Sequence, residues 1–177
     1  MRFRGIIDVS AFLRLNPIGL AALACSLLGA PVLAQEGPLV NVSLSKSLSA
    51  RAEEIGLRDL EYLKKDLREE VVSALAHAKG GPLHPREIDL VIEDCRPNRP
   101  TSAQLGANPG LSMRSLSIGG ARIGGRLIDA DGHEHLFHIG YFETDIRNDR
   151  GATVWSDTYQ AFDMVAHRIA TGRLDGE

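Results

Sequence analysis

The sequence predicts a single small α+β domain whose elements follow the order β-α-β-β-β-α. Two helices are expected to pack on one face of a short antiparallel or mixed sheet that contains a glycine-rich β-hairpin. Three stretches support this prediction: a helical apolar repeat over 57–78, an alternating glycine-rich stretch over 115–144, and an apolar stripe that follows Trp155. Each helix has one apolar side, so both need a sheet face to bury it.

The hairpin is predicted from Asp129-Ala130-Asp131-Gly132, which has Asp first and Gly fourth, as type I turns prefer. A three-residue loop with Gly132 at positive φ then sets the register. The expected pairs are Asp129 with His133, Leu127 with His135, Gly125 with Phe137, Ile123 with Ile139 and Ala121 with Tyr141. A two-residue loop would split the apolar side chains between the two faces, so the three-residue loop is preferred.

The alternation changes phase at Gly119-Gly120. Leu116 and Ile118 are apolar at even positions, whereas Ile123 and Leu127 are apolar at odd positions. We expect a β-bulge or bend at the two glycines, which would restore one continuous buried face from Ser115 onwards.

Residues 1–34 are predicted to be a signal peptide. Three arginines precede an uncharged apolar run of 18 residues over 17–34. Val32 and Ala34 supply the small residues that a signal peptidase requires, so cleavage is expected before Gln35 and the product is periplasmic or secreted. An uncleaved membrane anchor is the alternative, because 18 residues are the lower limit for a span.

Cleavage would leave one domain over 35–177. It would remove three of 20 basic and one of 23 acidic residues, which leaves a net charge of −5. An acidic domain argues against nucleic acid as a partner. Only Cys95 would remain, so no intramolecular disulfide is expected, and we interpret Cys95 as a small strand-end residue. Membrane contact is expected only if the leader stays uncleaved or is lipidated at Cys25.

The remaining elements follow from periodicity. Leu39–Leu44 alternates as a first strand, and 88–94 reads as a second. A helix over 57–78 ends at Gly80-Gly81-Pro82, as a glycine cap followed by proline predicts. The last helix, which follows Trp155, has an apolar stripe that we assign to the core: Tyr159, Phe162, Ala166 and Ile169.

Two local details belong to this part of the prediction. Ser156 or Asp157 is expected to cap the last helix, and Asp157 with Gln160 resembles a capping box. Residues 95–112 form a long loop with three prolines. Such long connections tend to be functional or disordered, so this loop is the first candidate for an interaction surface.

One set of polar side chains could form a binding site. Its members lie in the long loop, just after it, or on the even face of the hairpin, and they are Arg96, Arg99, Gln104, Arg114, Arg122 and Arg126. If the loop folds back over that face, the guanidinium groups would converge and suit carboxylates or phosphates. The alternative is separate surface arginines with local carboxylate partners.

Asp129, His133 and His135 could supply a metal-binding set of one oxygen and two nitrogens. His138 lies on the opposite strand face and cannot join it. The spacing is a weak signal, and a polar hairpin end is the favoured interpretation. The sequence also lacks a phosphate-binding loop and a nucleophile elbow. We therefore predict no catalytic residues, no metal and no cofactor.

Seven short motifs are spread over the second half of the chain. They are Arg99-Pro100-Thr101, Gln104-Leu105-Gly106, Pro109-Gly110-Leu111-Ser112, Ser117-Ile118-Gly119-Gly120-Ala121, Asp129-Ala130-Asp131-Gly132, Trp155-Ser156-Asp157 and Ala161-Phe162-Asp163. Together with the helix over 57–78, this half resembles a family of exported Gram-negative bacterial proteins and lipoproteins that is classed as a domain of unknown function. The resemblance implies export and the fold, and it implies no activity and no catalytic residues.

These observations predict an exported cell-envelope protein that binds or helps to assemble another envelope component, possible partners including an envelope protein, without catalysis. Binding or hydrolysis of a small anionic envelope ligand at the arginine set is the alternative. An open apolar groove at the long loop would favour the protein partner, and a closed pocket lined by arginines would favour the ligand.

Overall fold

The computed structural model describes residues 37–151 and 153–174, and gives no side-chain detail for 149–151. The predicted signal peptide, its cleavage site and Cys25 lie outside these residues. Within the two described ranges, no helix combines the length and the hydropathy that crossing a bilayer requires.

Four strands form one mixed sheet in the order β1-β2-β3-β4, in which β1 and β2 are parallel and the other neighbours are antiparallel. The strands are β1 (Leu39–Leu44), β2 (Glu87–Arg96), β3 (Gly120–Ile128) and β4 (Glu134–Phe142). The helices are α1 (Lys46–Ala50), α2 (Ala52–Ile55), α3 (Leu57–His77), α4 (Ser102–Ala107), a 3₁₀ helix (Ile146–Gly151) and α5 (Ser156–Thr171). The α+β prediction is confirmed, with short helices added to the predicted order.

Helices α3 and α5 pack against each other and against one face of the sheet, as predicted. The apolar repeat of α3 is fully buried at Leu60, Leu63, Leu67, Val71 and Leu75. These side chains share one core with the inward side chains of β2, β3 and β4. The core therefore lies between one helical layer and one sheet face, and no helix of the described residues packs on the other sheet face.

The three-residue hairpin loop is confirmed. The Asp129 N–H donates to the His133 carbonyl at 3.0 Å, and the Gly132 N–H donates to the Asp129 carbonyl at 3.2 Å. Gly132 has a φ of +88°, which glycine adopts without strain. The ladder then pairs Leu127 with His135 and Gly125 with Phe137, in the predicted register. Packing of Phe137 over Gly125 places both inward faces of the hairpin in the core.

The predicted bend at Gly119-Gly120 exists, but the continuous buried face before it does not. Strand β3 begins only at Gly120, which has a φ of +143°. Leu116 is half-buried and Ile118 is 37% exposed, so neither joins the core. The phase change therefore coincides with the first residue of β3, where the backbone of Gly120 adopts a positive φ.

A bulge does occur, in a strand where the sequence did not predict it. The register between β2 and β3 shifts between Ile92 and Asp94, which leaves Glu93 as an extra residue. The shift moves the buried phase from even to odd positions, so Cys95 lies in the core after Ile92. Burial raises the pKa of the Cys95 thiol to about 12, which keeps it protonated and poorly nucleophilic. Its interpretation as a small packed residue agrees with this environment.

The predicted cap of α5 is wrong in its residue. Trp155 is the N-cap and uses no side-chain hydrogen bond. Asp157 is buried inside the first turn, where Asn98 holds its side chain. Tyr159 is also outside the core, because it is 43% exposed and its hydroxyl donates to Asp66 Oδ2 at 2.9 Å. Phe162 is buried as predicted, and Trp155 is buried as well.

Replacing Gly125→Ala should destabilise the fold by about 1–3 kcal/mol, since the added Cβ would overlap the Phe137 ring. Gly140→Ala is the matched control in the same hairpin, because its nearest neighbouring atom would be 3.4 Å away. Urea unfolding of both variants measures the difference. Equal losses of unfolding free energy would show that the Gly125–Phe137 contact is not what requires glycine.

Candidate functional site

The long connection between β2 and β3 is ordered and contains helix α4. Thr101 caps this helix: its hydroxyl accepts the Gln104 N–H at 3.2 Å, and the Gln104 side chain accepts the Thr101 N–H at 3.1 Å. This reciprocal pair is a capping box. The pattern Thr-x-x-Gln was present in the sequence and could have predicted the helix. Gln104, proposed as a ligand-binding residue, therefore has a structural role.

Asn98 fixes the connection to the rest of the domain and is fully buried. Its N–H donates to the Val154 carbonyl at 2.8 Å, and its carbonyl accepts the Ser117 N–H at 2.9 Å. Its side-chain oxygen accepts the Asp157 N–H at 3.1 Å, and its side-chain nitrogen donates to the Asp157 carboxyl group. One asparagine thus holds together the start of the loop, its end and the first turn of α5. Nothing in the local sequence marks it for this role.

A groove lies between α4 and the segment 111–118, and we refer to it as the α4 groove. Its cavity measures about 410 Å³. The lining is mainly apolar, with polar side chains interspersed: Glu54, Arg96, Pro97, Pro100, Gln104, Ala107, Asn108, Leu111, Ser115, Leu116, Ser117 and Ile118. The groove is open, since Ala107, Asn108 and Ser117 are exposed. The sequence had pointed to this loop but had not identified Leu111, Leu116 or Ile118.

The two charged side chains of the α4 groove have local partners. Arg96 Nε lies 3.3 Å from Asp94 Oδ2, and its guanidinium stacks 4.9 Å from the Phe142 ring centre. Glu54 Oε2 lies 3.5 Å from Arg51 Nε. The groove therefore offers apolar surface and neutral hydrogen-bonding groups rather than a concentrated charge.

The structure does not bring the six predicted binding residues together. Only Arg96 and Gln104 line the groove. Arg99 Nη1 donates to the Met113 carbonyl at 3.0 Å, and Arg114 is exposed in the turn that follows. Arg99 and Arg114 therefore stay with the loop and do not point into the groove as part of its lining.

Arg122 and Arg126 lie on the sheet face opposite the helices. Arg126 contacts Asp89 at 3.4 Å and Glu134 at 3.3 Å, so acidic neighbours already balance its charge. The face is open to solvent: Leu136, beside Arg126 in the ladder, is 71% exposed. The anionic-ligand alternative required the long loop to fold back over this face. The loop does not cover the face at Leu136.

The proposed metal set forms the hairpin end. Asp129 Oδ2 lies 3.0 Å from His135 Nε2 and 3.4 Å from His133 Nδ1. Its other oxygen accepts the N–H groups of Asp131 at 2.9 Å and His133 at 2.8 Å. The side chains whose possible ligand atoms all lie within 4.8 Å of one another are Asp129, Asp131 and His133. This set contains Asp131 in place of the predicted His135. Asp129 already accepts hydrogen bonds on both oxygens, and these bonds account for its position.

The hydrogen bond from His135, together with the N–H groups of His133 and Asp131, lowers the pKa of Asp129 to about 2.

No family model and no curated protein matches this chain, so the site has to be interpreted from its own residues. The site consists of the mainly apolar α4 groove and of the buried residue Asn98, which anchors the segments that form it.

The depressed pKa of Asp129 predicts an acid-sensitive contribution to stability. The contribution is complete above about pH 4 and is lost as pH falls towards 2, because the unfolded carboxylate binds its proton first. The unfolding free energy of the unmodified protein should fall more steeply over this interval than that of Asp129→Asn. Asp131→Asn, in the same turn but with an exposed side chain, is the control and should keep the steep dependence. Identical slopes for the unmodified protein and Asp129→Asn would contradict this assignment.

Replacing Asn98→Ala should destabilise the domain by about 3 kcal/mol, because it leaves buried groups of Asp157 without their partner. Asn41→Ala removes one exposed hydrogen bond to Asp89 and should change stability by less than about 0.5 kcal/mol. Chemical unfolding of the two variants measures the difference. A loss below about 1 kcal/mol for Asn98→Ala would refute the anchoring role.

Proposed function

We propose that the protein is a non-enzymatic exported protein of the cell envelope that binds another envelope protein in the α4 groove. The open, mainly apolar lining of that groove is the observation that carries the proposal. Its occupant is a short segment of the partner with large apolar side chains. The export part of the proposal rests on the leader pattern over 1–34.

The wall formed by 111–118 suits such an occupant. Met113 belongs to the same segment and is 58% exposed, and Ile118 lines the groove and is 37% exposed. The N–H groups of Leu116 and Ile118 donate no hydrogen bond to any described residue. An added peptide could therefore place apolar side chains in the cavity and accept main-chain hydrogen bonds from the wall.

The chemistry of the described residues supports binding over catalysis. The buried Cys95 thiol is protonated, and Asp129 is engaged in a turn. The anionic-ligand alternative draws no comparable support, because the arginines are dispersed and Arg126 is paired with carboxylates. Inorganic phosphate should accordingly leave the melting temperature unchanged. Stabilisation by phosphate that disappears in Arg122→Glu would favour the alternative instead.

Site-specific photo-crosslinking in cells tests the partner. A photoreactive residue at Ile118 should crosslink to one defined envelope protein, whereas the same residue at Val72 should not. Val72 is a matched position because it is an exposed apolar residue, on α3 outside the α4 groove. Adding Leu116→Lys should abolish the Ile118 crosslink, since the charge would have to be desolvated on binding.

Deleting loop residues 98–108 would be a simpler test of the groove, but it would also remove the buried residues Asn98 and Thr101 and so disturb the fold. Point substitutions are used for this reason. Circular dichroism should confirm that Leu116→Lys remains folded. Equal crosslinking from Ile118 and Val72, or an Ile118 crosslink that survives Leu116→Lys, would contradict binding in the groove.

A further inference from the structure

Strand β4 is an outer strand of the sheet, and its free edge is long and regular. The pair Asp129–His133 is hydrogen-bonded, so odd residues of β4 bond to β3 and even residues direct their N–H and C=O groups outwards. No other described backbone group pairs with these outward groups. Such an edge is a template for another strand.

The other outer strand is shorter and less available. β1 has six residues, and Arg68 Nε donates to its Val40 carbonyl at 3.0 Å. Covering an edge carbonyl with a charged side chain blocks strand addition at that point. Within the described residues, β4 is therefore the better edge for pairing.

The side chains along the β4 edge have an unusual exposure. Leu136 is 71% exposed, the highest value among the large hydrophobic side chains of the described residues. Glu134 and His138 lie two positions to either side of it, on the same face, and both are exposed. An exposed leucine between an acid and an imidazole is apolar at its centre and polar at both ends.

This pattern is complementary to itself in one antiparallel register. With a two-fold axis at Leu136, the leucines of two copies lie opposite each other, and each Glu134 lies opposite a His138. A two-fold axis at His138 would place the imidazoles opposite each other and Leu136 opposite Gly140. Only the Leu136 register joins apolar to apolar and acid to imidazole.

The atoms needed for these contacts are available. Glu134 uses Oε1 towards Arg126 at 3.3 Å, and His138 uses Nδ1 towards Glu93 at 2.9 Å. Glu134 and His138 are both exposed, so each side chain can also face a second strand. Glu134 already contacts Arg126, and His138 already contacts Glu93. Each new pair between Glu134 and the His138 of the second copy would therefore join two existing pairs.

We propose that the β4 edge pairs with a second copy of this chain, antiparallel and centred on Leu136, to form one continuous eight-stranded sheet across two protomers. Each of the three even pairs exchanges two main-chain hydrogen bonds. The contact buries little surface apart from the leucines, so the dimer is reversible and concentration-dependent. This assembly uses a surface separate from the α4 groove and does not depend on the proposed partner.

Sedimentation equilibrium of protein expressed from its full coding sequence tests the association. The unmodified protein should shift from monomer to dimer as concentration rises, and Leu136→Lys should weaken association at least tenfold. Leu39→Lys is the matched control, because it places the same exposed substitution on the opposite edge strand. A monomer at millimolar concentration, or equal effects of the two substitutions, overturns the proposal.

Disulfide trapping tests the register. Leu136→Cys should form a crosslinked dimer on oxidation, because opposite Cα atoms of a hydrogen-bonded pair lie about 5.5 Å apart. His138→Cys should not, since the two cysteines would be about 14 Å apart along the strands. The unmodified protein controls for native cysteines, of which Cys95 is buried. Crosslinking at 138 in preference to 136 overturns the register and with it the Glu134–His138 pairing.

Discussion

The hydrogen bonds between Asn98 and Asp157 connect parts of the chain that are 59 residues apart, and the geometry of the groove depends on them. A buried amide and a buried carboxyl group are costly to leave unpaired, so each restricts where the other can lie. Asn98 also pairs its main chain with Val154 and Ser117. The loop therefore leaves and re-enters the sheet at fixed points, although it is 23 residues long between β2 and β3.

The two glycines before β3 follow from this anchor. A Cβ at Gly119 would overlap the Asn98 side chain, and a Cβ at Gly120 would overlap the β4 backbone at Tyr141. The Gly120 carbonyl accepts the Thr158 hydroxyl at 3.1 Å, which links the same bend to α5. The glycine pair is thus required by the close approach of the Asn98 side chain to Gly119 and of β4 to Gly120. This requirement explains the change of phase better than a bulge within a strand.

Contacts between neighbouring segments were predictable, and contacts between distant ones were not. The hairpin register follows from the turn and from the packing of Phe137 over Gly125. The Gly125–Phe137 pair lies only a few ladder positions from the turn. The five buried residues of α3 follow from their spacing alone. Asn98 gave no comparable signal, because a polar residue among prolines looks the same whether it is buried or exposed. The Glu93 bulge was also hidden, since a strand tolerates an extra residue without a marker in its own sequence.

The arginine prediction failed to produce one site for a related reason. Alternation correctly places Arg122 and Arg126 on the same face of β3, but it carries no information about the strands on either side. Asp89 from β2 and Glu134 from β4 flank Arg126, so the sheet mixes the two signs of charge. Whether a basic residue contributes to an anion site is decided by such cross-strand neighbours. They depend on the order of the strands, which local periodicity does not specify.

The groove wall is preorganised even though it belongs to no strand. The Leu111 N–H donates to the Asn108 carbonyl at 3.0 Å, and the Ser115 N–H donates to the Ser112 carbonyl at 2.9 Å. Ser117 then returns to the Pro97–Asn98 backbone through its N–H and its hydroxyl. Because both ends of the wall are fixed and its turn is closed internally, a bound segment would not have to order it, which removes one of the main costs of peptide binding. The same anchoring makes groove and core interdependent: a change at Asn98 alters the wall, the bend into β3 and the start of α5 together.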